Sequence, residues 1–366
     1  MPSVASSERA SKAARAMANP ESTKAPSVSS PTIPLTLVSD LTRVSTRTLR
    51  RRSVSDLLRM GHCAPTVMQT ILDASGTEAE WLVKLTAGLP GGIGNTGAEC
   101  GGVTSPLLLI GLRHARDPMH HGLPPFIDKG HDLLQRFAGR HGTTLCREIR
   151  GTDRLPLRCV GAVRHAPELC AQTLSSDCAH VIPAASRDAY RRLYAQFVEK
   201  EFHCAHAVVQ QVRHTNHVSQ DDLLDATAPF IGGTVLTGMT CSALTAGVMA
   251  LGVALGQIER SRLRVLRMVG KMAAGGDAFA DDVNKFNRTM NLGHQLATWF
   301  TGAFGSTLCR GITGCDFSTT AGVNQYIDTD GVARCQALAR QVATRVERMI
   351  DSAVSRPTVI NGGGMV

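Results

Sequence analysis

Gly142–Asp153, GTTLCREIRGTD, and Gly305–Asp316, GSTLCRGITGCD, state one short message twice in the same chain. The likeness runs upstream as well. His131–Asp153 and His294–Asp316 are identical at twelve of 23 positions, among them His131/His294, Phe137/Phe300, Cys146/Cys309, Arg147/Arg310 and Asp153/Asp316. Earlier in the chain, GHCAPTVMQ around Cys63 matches FHCAHAVVQ around Cys204. GGIGNTGAECGGVTSPLLLIG around Cys100 likewise matches GGTVLTGMTCSALTAGVMALG around Cys241. Both of these pairs are displaced by 141 residues and the Cys146/Cys309 pair by 163, so the second copy carries 22 extra residues. Their expected place is ERSRLRVLRMVGKMAAGGDAFADD, near 259–282. An internal repeat of this length makes a structural module the unit of the fold.

Two modules, about 54–185 and 192–350, are therefore expected, between a basic tail at 1–53 and a short C-terminal tail at 351–366. Duplicated modules commonly pack about a pseudo-twofold axis. Each copy reads as helical. SVSDLLRMGHCAPTVMQTILDA and AYRRLYAQFVEKEFHCAHAVVQQVRH keep the helical period, with the cysteine on the apolar stripe. A glycine-rich turn leads to a helix beginning near Cys100 or Cys241, and GVARCQALARQVATRVERMI closes the second copy as a helix. No strand alternation persists, so the fold class is all-α: a tandem, pseudo-twofold helical module behind a disordered N-terminal tail.

The chain has 366 residues, 43% hydrophobic and 19% charged, enough to bury a large core. Aromatics make up only 4% and glycines number 35, which suits closely approaching helices. Of the net charge of +9, residues 1–53 hold nine Lys/Arg against three Asp/Glu. The basic character belongs mostly to the tail, and no basic patch with interleaved aromatics is present, which argues against nucleic-acid binding. The tail's Ser/Ala/Thr/Pro/Arg composition fits disorder, and it also fits an organelle transit peptide. It has no apolar run of secretory type, so a cytoplasmic location is expected. Ala226–Ile258 is free of charge and long enough to span a bilayer, but it is dominated by Ala, Gly and Thr. It reads as a buried core helix, and membrane association is not expected.

The order of elements is a helix-borne Cys, a Gly-Gly…Thr-Gly…Cys turn into an apolar helix, a Gly-x-x-x-Cys-Arg element, and a last Cys. It resembles the redox-active family named for its C_GCAxxG_C_C cysteine pattern, here as two fused copies. The resemblance implies a cysteine quartet in each copy. In the first these are Cys63, Cys100, Cys146 and a late cysteine, best matched by Cys178 with Cys159 and Cys170 competing; in the second they are Cys204, Cys241, Cys309 and Cys335. The central motif departs from the pattern. Glu99 and Thr240 stand where glycine is usual, and Ser105 and Ala246 hold the place of the last glycine.

Eleven cysteines without a secretory signal argue against a structural disulfide framework. Thiol/disulfide exchange or electron transfer by the clustered cysteines is the expected function, and it requires no cofactor. Its partner, whether a redox protein or a small molecule, is unknown from the sequence. Cys100 and Cys241 are expected at helix N-termini, where backbone N–H groups lower a thiol's pKa. The glycines Gly91, Gly92 and Gly97, with Gly232, Gly233 and Gly238, would let backbone or substrate approach closely. Arg147 and Arg310 favour a thiolate only if they point inward. His62, His203, His131 and His294 are available as ligands or proton carriers, although surface or capping roles are commoner for such residues. Two other classes stay open: a metal-, iron–sulfur- or haem-binding electron-transfer or sensor module, and a helical scaffold whose cysteines only pack. No Cys-x-x-Cys or Cys-x-x-Cys-His occurs, and the sequence nominates no metal ligands. Gly91–Gly94 lacks the Lys-Ser/Thr of a phosphate loop, and Asp277–Asp282 reads as a solvated helix start.

Overall fold

The periodic segments of the sequence become helices wherever an apolar stripe can be buried, and glycines in left-handed conformation end several of them. The computed structural model describes residues 41–152, 157–177 and 181–355. The first copy contains α1 (Thr46–Met60), α2 (Cys63–Ser75), α3 (Glu80–Leu85), α4 (Gly101–His114), α5 (Pro125–His141), α6 (Cys146–Arg150) and α7 (Leu157–Ser175). The second contains α8 (Ala184–Glu199), α9 (His206–Val209), α10 (Gln220–Thr227), α11 (Ser242–Leu255), α12 (Arg262–Ala273), α13 (Lys285–Phe304), α14 (Cys309–Thr313), α15 (Thr320–Asp328) and α16 (Gly331–Ser355). Among the described residues there is no strand, only isolated bridges. No described helix is long and apolar enough to cross a membrane.

The copies correspond in their central elements. The helices α4 and α11 are displaced by 141 residues at both ends, and α6 and α14 by 163. Each module wraps helices around its central apolar one: α2, α5 and α7 pack on α4, while α9, α13 and α16 pack on α11. Both central helices are buried along almost their whole length, so the uncharged stretch at 226–258 is core. Two details differ from the periodicity. The first cysteine-bearing segment is broken at Gly61 (φ 76°), and the second separates into α8 and α9. α1 also begins at Thr46, within the stretch read as tail, with Ser45 as its cap. It is held there partly by a bidentate pair from Arg50 to the buried Glu168 at 2.7 and 2.8 Å.

The copies join reciprocally. α3 of the first copy packs on α11, and the matching α10 packs on α4. A Cβ at Gly111 would lie 2.3 Å from the Asp225 carbonyl oxygen, and one at Gly252 would lie 2.4 Å from that of Lys84. These are the same contact seen from both sides, the mark of an isologous, pseudo-twofold interface. The matched histidines serve it too. His131 Nε2–H donates to the Val235 carbonyl at 2.9 Å, and His294 Nδ1–H donates to that of Gly94 at 3.1 Å. Gly94 and Val235 are themselves a matched pair. His131 and His294 therefore hold the modules together.

Candidate functional site

The repeated stretch that ends in a cysteine and an arginine is a clamp on the glycine turn. Cys146 N–H donates to Ala98 O at 2.7 Å and Cys100 N–H to Thr144 O at 2.8 Å. In the second copy Cys309 and Cys241 make the same bonds to Met239 and Thr307, at 2.7 and 2.8 Å. A Cβ on Gly92 would stand 2.8 Å from Cys146 Cβ, and one on Gly233 would stand 2.6 Å from Cys309 Cβ, so glycine is what admits the third cysteine. Arg147 and Arg310 point to solvent from the far side of this clamp.

In the first copy, Cys63, Cys100, Cys146 and Cys159 line one cavity of about 210 Å³. They arrive on four elements: α2, the cap of α4, α6 and α7. Cys63 is the cysteine whose ionisation would most disfavour that of each of the other three. Cys159, one of the competing fourth cysteines, is thus in the cluster. Cys170 is fully buried apart from it, with burial alone pushing its thiol up to about 12. Cys178 lies outside the described residues. In the second copy Cys204, Cys241, Cys309 and Cys335 come together, and Cys315 acts on Cys309 and Cys335 as well. Cys315 was not singled out in the sequence, since it has no counterpart in the first copy. All ten described cysteines are free thiols.

Cys100 caps α4 as expected, and its Sγ accepts from Gly102 N–H at 3.4 Å. The expected low pKa is nevertheless overturned. Burial pushes the Cys100 thiol well above its ordinary value and Cys241 up to about 12, outweighing the helix N–H groups. A thiolate removed from water loses more than one or two amide contacts restore. Burial likewise takes Cys146 to about 12 and Cys159 to about 11, and for both Arg150, not Arg147, pulls downward. Cys63, like Cys159, is only half-buried, and the nearby backbone N–H groups of Gly91, Ala64 and Gly101 offset part of the burial that raises it. The Gly91 contact recurs between Gly232 and Cys204. This supplies a chemical reason for the glycine turn: it turns an N–H group toward the first cysteine.

His62 also lines the cavity, neutral because burial lowers its pKa to about 4. Its Nε2 meets Asn287 Oδ1 at 2.7 Å, while Asn287 Nδ2 donates to the carbonyls of Ala278 and Ala280. That arrangement makes Nε2 the donor and leaves Nδ1 with its lone pair. His203, the matching residue, donates to Ala228 O at 3.0 Å and accepts from His206 N–H at 3.3 Å, a purely structural pattern.

The departures from the motif at Glu99 and Thr240 are one feature. Glu99 is fully buried, and its carboxylate accepts from Thr240 N–H at 3.0 Å, Thr240 Oγ1–H at 2.5 Å and Thr234 Oγ1–H at 3.2 Å. Two matched residues that touch each other must straddle the pseudo-twofold axis. Glu99 therefore ties the two cysteine turns together at that axis, a role no single-copy pattern reveals.

Four thiols gathered from separate elements over a glycine turn, twice in one chain, define a class of duplicated cysteine-cluster protein. The family model described as "Putative redox-active protein (C_GCAxxG_C_C)" matches residues 61–185 and 202–349, and the chain belongs to that family as two copies. No curated protein and no solved structure matches the chain closely enough to add to this comparison.

Proposed function

We propose that the chain is a thiol-dependent redox protein in which Cys63 attacks and a neighbouring thiol, Cys100 first, resolves. The observation that carries this reading is the convergence of Cys63, Cys100, Cys146 and Cys159 on one cavity. Cys63, as thiolate, forms a bond to a disulfide or other oxidant. Cys100 then displaces the bound group, so two thiols become one disulfide and two electrons and two protons pass to the acceptor. Raised thiol pKa values make this exchange slow at neutral pH and faster in alkali. The test is a thiol count after equilibration in oxidising and reducing dithiothreitol buffers, with peptide mapping of any disulfide. A change of two thiols that is lost in Cys63→Ser and Cys100→Ser is expected, and an unchanged count refutes the reading.

A second reading keeps the same four cysteines and His62, gathered on one cavity, as ligands of an iron–sulfur cluster. Iron analysis and the visible spectrum of anaerobically purified protein decide between the two readings.

A further inference from the structure

The two cysteine sets share an ancestral plan but not an environment. At the place of Gly61 in the first copy, the second copy has Phe202, and at the place of Asn95 it has Leu236. Phe202 joins an aromatic group made with Phe197, Tyr326 and Phe317, whose rings meet edge-on or tilted at 5.2 to 6.0 Å. Tyr326 is fully buried, and its Oη–H donates to Cys335 Sγ at 3.4 Å. Rings thus fill the space beside Cys204 and Cys335. Cys204 is 7% exposed, whereas its counterpart Cys63 is half-buried on an open cavity; the other members of the two sets match in burial, with Cys335 half-buried like Cys159.

The first set is roofed by the second copy. Val265, Met268 and Met272 of α12, with Phe279 beyond it, come from the inserted segment, and Met290 comes from α13. The roof is fastened by Ser261 N–H to Arg59 O at 2.7 Å and by Asn284 Nδ2 to Met60 O at 2.9 Å. A Cβ on Gly61 would come within 2.8 Å of Met268 Cε. Glycine there leaves room for the roof where a ring stands in the other copy. Arg150 is the one charged residue lining the cavity, and its guanidinium lies 5.8 Å from the centre of the Phe279 ring.

The geometry points to a division of labour that rests on the redox reading above. The first cysteine set is the working site and takes a small, uncharged, apolar disulfide; in the second set Phe202 and Tyr326 fill the corresponding space. The cavity's walls are mainly thiols, thioethers, aliphatic groups and the Phe279 ring, with His62, Asn95 and the ring-facing Arg150 as polar members and no carboxylate, and about 210 Å³ is a little above the roughly 150 Å³ that holds one benzene ring. A charged disulfide would lose the hydration of its carboxylates on entering such walls.

The experiment uses the full reduced chain and two probes of the same chemistry. These are 2,2′-dithiodipyridine, which is uncharged, and 5,5′-dithiobis(2-nitrobenzoate), which is a dianion. Cys63 attacks one sulfur of dithiodipyridine, releasing one pyridine-2-thione, and Cys100 attacks the Cys63 sulfur, releasing the other. One disulfide is reduced, one is formed, and the two thiol protons leave on the two thiones. A fast phase that begins at Cys63 and closes a disulfide with Cys100 is expected, with Cys204 slower by about 100-fold because it requires local opening. The dianion should be slower than the neutral probe by about 100-fold in the fast phase. Phe202→Ala should speed the second set. If that variant does not fold, Val160→Trp, which fills the open cavity, must slow the first. Equal rates in the two sets overturn the division while leaving the redox reading intact. Equal rates for the two probes overturn the assignment of an uncharged substrate. If neither set forms a disulfide, the redox reading itself is overturned.

Discussion

Raising the pH from 7 to 10 should cost this protein at least about 4 kcal/mol of stability, through Cys146, Cys170 and Cys241 alone. Burial moves Cys146, Cys170 and Cys241 from an ordinary 9.0 to about 12 each. In the unfolded chain such thiols deprotonate near 9, while in the native state they keep their protons. Above pH 9 the unfolded state therefore binds fewer protons, and stability falls as pH rises. The contribution is fully present below pH 9 and is lost progressively toward about 12. By pH 10 each thiol accounts for about 1.4 kcal/mol, against a total stability of about 5–15 kcal/mol for a typical domain. Urea midpoints measured at pH 7, 8, 9 and 10 in reductant read the loss directly. Cys170→Ala isolates one term, because Cys170 is fully buried and only burial shifts it. The variant should lose about 1.4 kcal/mol less than the parent over the same interval. A flat profile from pH 8 to 10, or an unchanged loss in Cys170→Ala, would refute the claim that buried neutral thiols dominate.

Gly111→Ala and Gly252→Ala should each destabilise by about 1–3 kcal/mol, since both drive a methyl into a carbonyl of the other module. Thermal denaturation checks this, and clearly unequal losses would argue against the reciprocal interface. Glu99→Leu should cost about 1–3 kcal/mol by leaving the Thr240 N–H and two hydroxyls without an acceptor. Glu99→Gln should recover much of that loss in a denaturant titration. Cys159→Ser should change the mapped reactivity of Cys63 and Cys146, while Cys170→Ser should leave it alone. Peptide-resolved alkylation separates these outcomes.

Much of the architecture is legible from repetition. The displacements of 141 and 163 residues reappear as matched helices, matched bridges and matched N–H···O bonds, because a duplicated sequence must satisfy the same local backbone partners twice. The insertion is legible in place but not in purpose: nothing in ERSRLRVLRMVGKMAAGGDAFADD says that Met268 will lie over the other copy's cysteines. Helical periodicity also runs past Gly61, since it registers the apolar stripe and not the left-handed turn that breaks it.

The sequence by itself determined an all-helical, duplicated module and named three of the four cysteines that share the first cavity. Local pattern and internal matching suffice for that. Only the tertiary structure decided that Cys159 joins them, that His131 and His294 bind the modules together, and that Glu99 sits on Thr240 at the axis. It also reversed the expected acidity of Cys100 and Cys241, both at helix N-termini as foreseen. A helix end is written in neighbouring residues, but the loss of water around a thiol depends on every distant chain that closes over it.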